Sequence, residues 1–135
     1  MSFAVFDSYM LARMEREEFE TLVTEALDEL PEQFAKYMEN VQVVVEDEPS
    51  PDLIRNMGMS PGRDTLFGLY QGVPIDRRGF GFGNHLPDKI TIYFLPLLRA
   101  CRTPDRIRRE VRRTVVHEIG HHFGFDDAEL RREGY

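Results

Sequence analysis

The chain of 135 residues reads as a single globular domain in which helices and short strands are mixed. Three observations predict this. An amphipathic stripe at helical spacing comes first, three short β-branched or aromatic runs follow, and a capped amphipathic helix comes last. Hydrophobic residues make up 41% and charged residues 30%, enough for one core and too apolar for a disordered chain.

Residues 1–13 show no clear period and are expected to form a loosely held arm; residues 14–135 are expected to form the domain. From Glu15 onward Phe19, Leu22, Val23, Ala26, Leu27 and Leu30 recur at three- and four-residue steps, one face of a helix whose outer face is acidic. Pro31 interrupts it and suits the first turn of a second short helix, with Phe34, Tyr37 and Met38 inward. VQVVVE, residues 41–46, is short and β-branched and reads as a strand. Residues 46–64 carry three prolines and two glycines and read as loop.

TLFGLYQ, residues 65–71, reads as a second strand, ended by Gly72 and Pro74. It is the expected sheet edge, because Gly68 and Gly72 would leave its backbone accessible to an added peptide strand. A glycine-rich connection follows over residues 76–88, and KITIYFL, residues 89–95, is the clearest strand. Thr103, Pro104 and Asp105 then supply an N-cap, a proline at the first helical position and an early acid. The helix they open is predicted to run to about Phe123, with Gly124 just past its end.

Charge excludes some functions. The net charge of −7 argues against generic nucleic-acid binding, although residues 99–113 hold seven arginines against Asp105 and Glu110. That basic stretch is expected to be a solvated face offset by the acidic residues 15–48. No apolar run approaches the roughly 20 residues that span a bilayer, so no membrane partner is expected. The N-terminus lacks a basic segment and a long apolar stretch, so it is not expected to be a signal peptide. Cys101 is the only cysteine, which excludes an intramolecular disulfide and suits the cytoplasm.

The chemistry is concentrated in HEIGHHFGFDD, residues 117–127. His117 and His121 stand at i and i+4, about 40° apart around the helix axis and roughly 6 Å apart along it, so two imidazoles can fork around one ion. Glu118 lies about 100° further round; it would not ligate, but its carboxylate could reach a water at the metal. The apolar residues Ile107, Val111, Val115, Val116, Ile119 and Phe123 occupy the opposite arc, so His117 and His121 are not core histidines. His122 points toward that arc and is expected to be packed. Gly124 lets the chain reverse and Asp127 follows three residues later, which makes the string HExxHxxGxxD. Two helix-borne histidines leave a tetrahedral ion short of protein donors, and the third is expected from Asp127, with Asp126 turned toward a histidine's second nitrogen.

Several neighbours have weaker claims. Gly120 costs about 1 kcal/mol relative to Ala inside a helix; it is either harmless or leaves room for a close approach. Arg109 and Arg113 lie on nearly the side of His117 and either meet a substrate carboxylate or pair with acids such as Glu110. His85 is either an outer-shell group of the site or a surface loop histidine, and Tyr70 and Tyr135 are candidates for stabilising a tetrahedral intermediate.

ALDELP, NVQVVVEDEP, LFGLYQG, DKITIYFLPLL and TVVHEIGHHFGFDDAEL together resemble the minimal zincin-like metallopeptidases, small bacterial proteins long described as a domain of unknown function. The resemblance covers the chain from about Met14 onward. It implies an α+β fold, a small mixed β-sheet packed on helices, with the motif on the C-terminal helix. It also implies Zn2+ held by His117, His121 and Asp127, Glu118 as catalytic base, and a peptide or protein substrate. The chain departs from longer zincins in having no methionine beyond Met59, hence no methionine turn after Asp127. The competing reading is a non-catalytic protein- or peptide-binding module with a structural or vestigial zinc site, which would have no use for a base at position 118.

Overall fold

A computed structural model of the chain describes residues 14–72, 87–132, 134 and 135. The expected arm at residues 1–13 and the loop that holds His85 lie outside the described residues. The fold is α+β, a three-stranded mixed sheet packed on helices.

Helix α1 (Arg16–Asp28) buries Phe19, Leu22, Val23 and Ala26, the stripe that its periodicity predicts. Pro31 precedes a short helix α2 (Glu32–Ala35) that continues as a 3-10 turn over Lys36–Met38; Phe34 is buried, Tyr37 and Met38 half-buried. Strand β1 (Val41–Glu46) spans the VQVVVE run. Helix α3 (Pro51–Asn56) occupies part of the expected loop, its N-terminus capped by Ser50 Oγ, which accepts a bond of 3.1 Å from the Leu53 N–H. The segment is helical rather than loop because Pro51 sits at the first helical position, where no N–H is needed, and Ser50 caps it.

Strands β2 (Gly68–Gln71) and β3 (Asp88–Tyr93) complete the sheet, in the order β1-β3-β2. β3 runs parallel to β1, pairing Val41 with Asp88, and antiparallel to β2, pairing Gly68 with Ile92. As the middle strand it is buried along Ile90, Thr91, Ile92 and Tyr93. The expected extension to Leu95 is corrected: the chain turns into helix α4 (Phe94–Ala100), with Pro96 in the first turn where its missing N–H costs nothing.

Helix α5 (Pro104–Phe123) carries the motif. Its Thr103 cap forms as expected, Oγ1 accepting from the Arg106 N–H at 3.1 Å. Ile107, Val111, Val115, Val116 and Ile119 are fully buried, in one core with the α1 stripe, Ile90, Ile92 and Leu97. Ion pairs of Arg108 with Glu25 (3.0 Å) and Arg112 with Glu29 (2.6 Å) tie α5 to α1, and Arg99 meets Glu48 at 2.6 Å. Three of the seven arginines in the basic stretch are therefore matched to the acidic one. The motif helix is not the last: α6 (Asp127–Arg132) follows it.

Candidate metal centre

The C-terminal end of α5 builds the centre. Gly124 adopts φ 85°, a left-handed conformation open to glycine, and the N–H groups of Gly124 and Phe125 both return to the Gly120 carbonyl. That reversal brings the chain back beside the last turns of α5. Asp126 Oδ1 accepts from the Glu129 N–H at 2.7 Å and so caps α6. The expectation that Asp126 supports a ligand histidine is corrected: its carboxylate serves the helix that follows.

Asp127 is the first residue of α6, so its direction is set by how α6 docks. Leu130, 1% exposed, does the docking. A Cβ on Gly120 would lie 3.0 Å from Leu130 Cδ1 and 3.1 Å from Cδ2, so the glycine opens the space that Leu130 fills. Behind it, the Phe34 ring packs edge-on against Phe125 and Tyr135 at 6.0 and 5.8 Å.

The result is a three-donor cluster. One donor atom each from His117, His121 and Asp127 lies within 4.8 Å of the others, and His121 Nε2 is 3.7 Å from Asp127 Oδ1. Two donors sharing one zinc at about 2.0–2.1 Å would sit about 3.4 Å apart, so small side-chain rotations suffice. His117 Nε2 is buried and has no hydrogen-bond partner, alone in this among side-chain atoms of the described residues. A buried polar nitrogen left unsatisfied is costly, and a metal ion would satisfy it. Burial, aided by the Arg113 guanidinium and by His121, holds the His117 imidazole below its ordinary range, which keeps a lone pair available near neutral pH. The residues fit a metal.

Glu118 stands beside this cluster and is held by the sheet. The Tyr70 N–H donates to Glu118 Oε2 at 2.9 Å. Antiparallel pairing explains the direction: Tyr93 N–H bonds to the Phe67 carbonyl, so alternate residues of the strand, Gly68 and Tyr70, turn their backbone groups away from β3. Sequence reasoning missed this contact, since 48 residues separate the partners.

β2 is an edge strand of the sheet, as expected, but the proposed role of its glycines is corrected. Gly68 is buried, and a Cβ there would meet Thr114 Cγ2 at 2.7 Å; one on Gly72 would meet His122 Cε1 at 3.1 Å. The glycines admit α5 against the strand rather than opening its backbone to a peptide. What stays open is a groove of about 490 Å³ between Thr65, Leu66 and Phe67 on one wall and Arg113, His117 and Glu118 on the other.

His122 lies outside the three-donor cluster. Its ring stacks on Tyr70 with centroids 4.1 Å apart, and Nε2 is 3.9 Å from Asp88 Oδ2. It is outside the donor group, as expected, but it is not packed into the apolar arc: it lies on the sheet edge with its side chain 38% exposed. The Tyr70 hydroxyl donates to Asp88 Oδ2 at 2.7 Å, and Tyr135 packs on Phe34, so neither hydroxyl is drawn to the donor cluster by these contacts. Arg109 and Arg113 form no ion pair with Glu110 or any other described acid.

A family model described as zincin-like metallopeptidase matches residues 38–135. Among solved structures, a conserved hypothetical protein from T. thermophilus is similar, with a TM-score of 0.51 and 26% sequence identity. The match covers 87% of this chain and 99% of that one. No curated protein matches the chain.

Proposed function

This chain belongs to the zincin-like metallopeptidase family, and on that premise we propose that it is a zinc-dependent peptide-bond hydrolase. The observation that carries the reading is an open group of three donors, His117, His121 and Asp127, with the Glu118 carboxylate held beside it by the Tyr70 N–H. Structural zinc sites are closed by four protein ligands, whereas catalytic ones use three and keep a position open. The side chains of His121 and Asp127 are 61% and 74% exposed, and the groove reaches His117 and Glu118. A purely structural metal site would not need a base beside the ion, which Glu118 can supply while it also ties α5 to β2.

When bound, zinc would supply a Lewis acid that polarises the scissile carbonyl and acidifies water. His117 and His121 would hold it through imidazole nitrogens and Asp127 through a carboxylate oxygen. Glu118 would take the proton from the attacking water and return it to the leaving amine. The Tyr70 N–H keeps the Glu118 carboxylate in one orientation during that exchange. The peptide would lie in the groove between residues 65–67 and α5.

The working unit is taken as residues 14–135, because α1 shares the core on which α5 rests. A reducing compartment such as the cytoplasm suits the buried, unpaired Cys101. Among the described residues no helix is long and apolar enough to cross a membrane.

The test is metal content followed by digestion of a peptide library, with and without chelator, read by mass spectrometry. Wild-type protein should carry about one zinc per chain and cleave. Glu118→Gln should keep the zinc and lose hydrolysis about 100-fold or more, the range for removing a general base. A zinc-loaded wild type that cleaves nothing would refute the peptidase reading; loss of zinc with Glu118 would make that residue a ligand.

A further inference from the structure

Beside the donor cluster lies a second cavity, of about 580 Å³, lined by Arg109, Arg112, Arg113, Arg131, Gly134 and Tyr135. Four arginines, three on α5 and one on α6, line it. Arg112 is committed to Glu29 at 2.6 Å. Arg109, Arg113 and Arg131 have no ion pair or hydrogen bond with any described residue, which leaves three guanidiniums at this cavity without an acidic side-chain partner among the described residues. The chain as a whole carries −7, yet among the described residues no acidic side chain lines this cavity. On α5 itself the division is by face. Arg108 and Arg112 meet Glu25 and Glu29 of α1, while Arg109 and Arg113, four residues apart, form no ion pair, although Glu110 lines the groove beside Arg113. Like charges at that spacing repel on a helix.

This cavity adjoins the groove. Arg113 lines both: one of its neighbours there is His117, one turn further along α5. Arg113 thus stands roughly 6 Å along the axis from His117, and Arg109 roughly 12 Å. An extended peptide advances about 3.3 Å per residue. A carboxylate two to four residues from a bond cleaved at the donor cluster therefore reaches these guanidiniums, and arginine's planar fork suits carboxylate oxygens.

We infer that Arg109, Arg113 and Arg131 form an anion subsite that takes a carboxylate of the peptide substrate, which rests on the peptidase reading above for its placement beside the cleavage site. The carboxylate belongs either to the peptide's own C-terminus or to an acidic side chain near the scissile bond. The two sources share the chemistry and differ in which end of the substrate is held.

Binding and cleavage separate this inference from the one it rests on. Three fluorescent peptides of one sequence are compared: free C-terminus with neutral side chains, amidated C-terminus with one Asp, and amidated and neutral throughout. Their anisotropy is read on metal-free protein at low and high salt. At least one of the two carboxylate peptides should bind about tenfold tighter than the neutral one, and the preference should fade with salt. Whichever does so identifies the source. Arg113→Gln and, on the other helix, Arg131→Gln should each reduce the preference several-fold while circular dichroism stays unchanged. The same ratio should appear in kcat/KM if the protein cleaves. A carboxylate preference without cleavage keeps the anion subsite and removes the peptidase reading. Equal binding of all three peptides, or a preference that survives both substitutions, overturns the subsite even if cleavage is found.

Discussion

Asp126 and Asp127 are adjacent, chemically identical and given different duties by the fold, so separating them tests how the donor cluster is assembled. Asp126 accepts from the Glu129 N–H and caps α6, whereas Asp127 points a carboxylate at His121, 3.7 Å away. Removing a capping side chain costs about 1 kcal/mol. α6 has six residues, too few to persist without its cap and the docking of Leu130. Asp126→Ala should therefore lower the Tm of the metal-free protein by about 3–5 °C and reduce the population with Asp127 in place by up to about fivefold. Zinc affinity falls by the same factor at most. Asp126→Asn keeps a capping oxygen and should bind zinc within about twofold of wild type.

Asp127→Ala removes a donor outright. The loss should exceed the 10–100-fold typical of a supporting partner of a ligand, while the metal-free Tm moves little, since an acid at the first turn contributes under about 1 kcal/mol. Competition with a calibrated chelator at neutral pH, beside thermal melts of the metal-free proteins, reads both quantities. If Asp126→Asn loses zinc as severely as Asp127→Ala, Asp126 carries the ion and the division of labour described above is wrong.

Two further outcomes follow from packing and burial. Gly68→Ala would press a methyl to 2.7 Å from Thr114 Cγ2 and 3.0 Å from the Thr91 carbonyl, which should cost about 1–3 kcal/mol by denaturant titration. Adding Thr114→Ser, which removes that Cγ2, should restore part of the loss, and strict additivity of the two substitutions would contradict the contact. Burial, with a smaller contribution from Glu110, pushes the Cys101 thiol from 9.0 up to about 11. The folded protein should resist iodoacetamide at pH 8 and react once unfolded. Because the folded value lies above the unfolded one, this contribution to stability is complete below pH 9 and is lost as pH rises through 11. Wild type should lose more stability over that window than Cys101→Ala; parallel losses would assign the effect to other groups.

What the sequence made legible was local. The histidine fork, the Thr103 cap and the Gly124 reversal each depend on residues within about ten positions, and helical geometry fixes their relation. The same cap signal stood at Ser50-Pro51-Asp52 and was legible too, but the surrounding prolines and glycines masked it. Asp126, with Glu129 three residues on, carries the signature of a helix start, and that local role prevails over the outer-shell contact to a ligand histidine expected of it. At Tyr93 the failure was one of principle, since a short apolar run does not distinguish a strand from a buried helix.

Nothing within ten residues could reveal why Gly68 must be glycine or what holds Glu118, because the answers lie on α5 and β2, some 46 to 48 residues away. These long-range contacts are the ones that convert a motif into a site. A helix alone presents two imidazoles and a mobile carboxylate. Only with α5 pressed against β2 at Gly68 does the Tyr70 N–H meet Glu118, and only with Leu130 seated over Gly120 does α6 bring Asp127 to His121. Both approaches require a missing side chain. The glycines that look like gaps in the pattern are thus where the sheet and the final helix close on the motif.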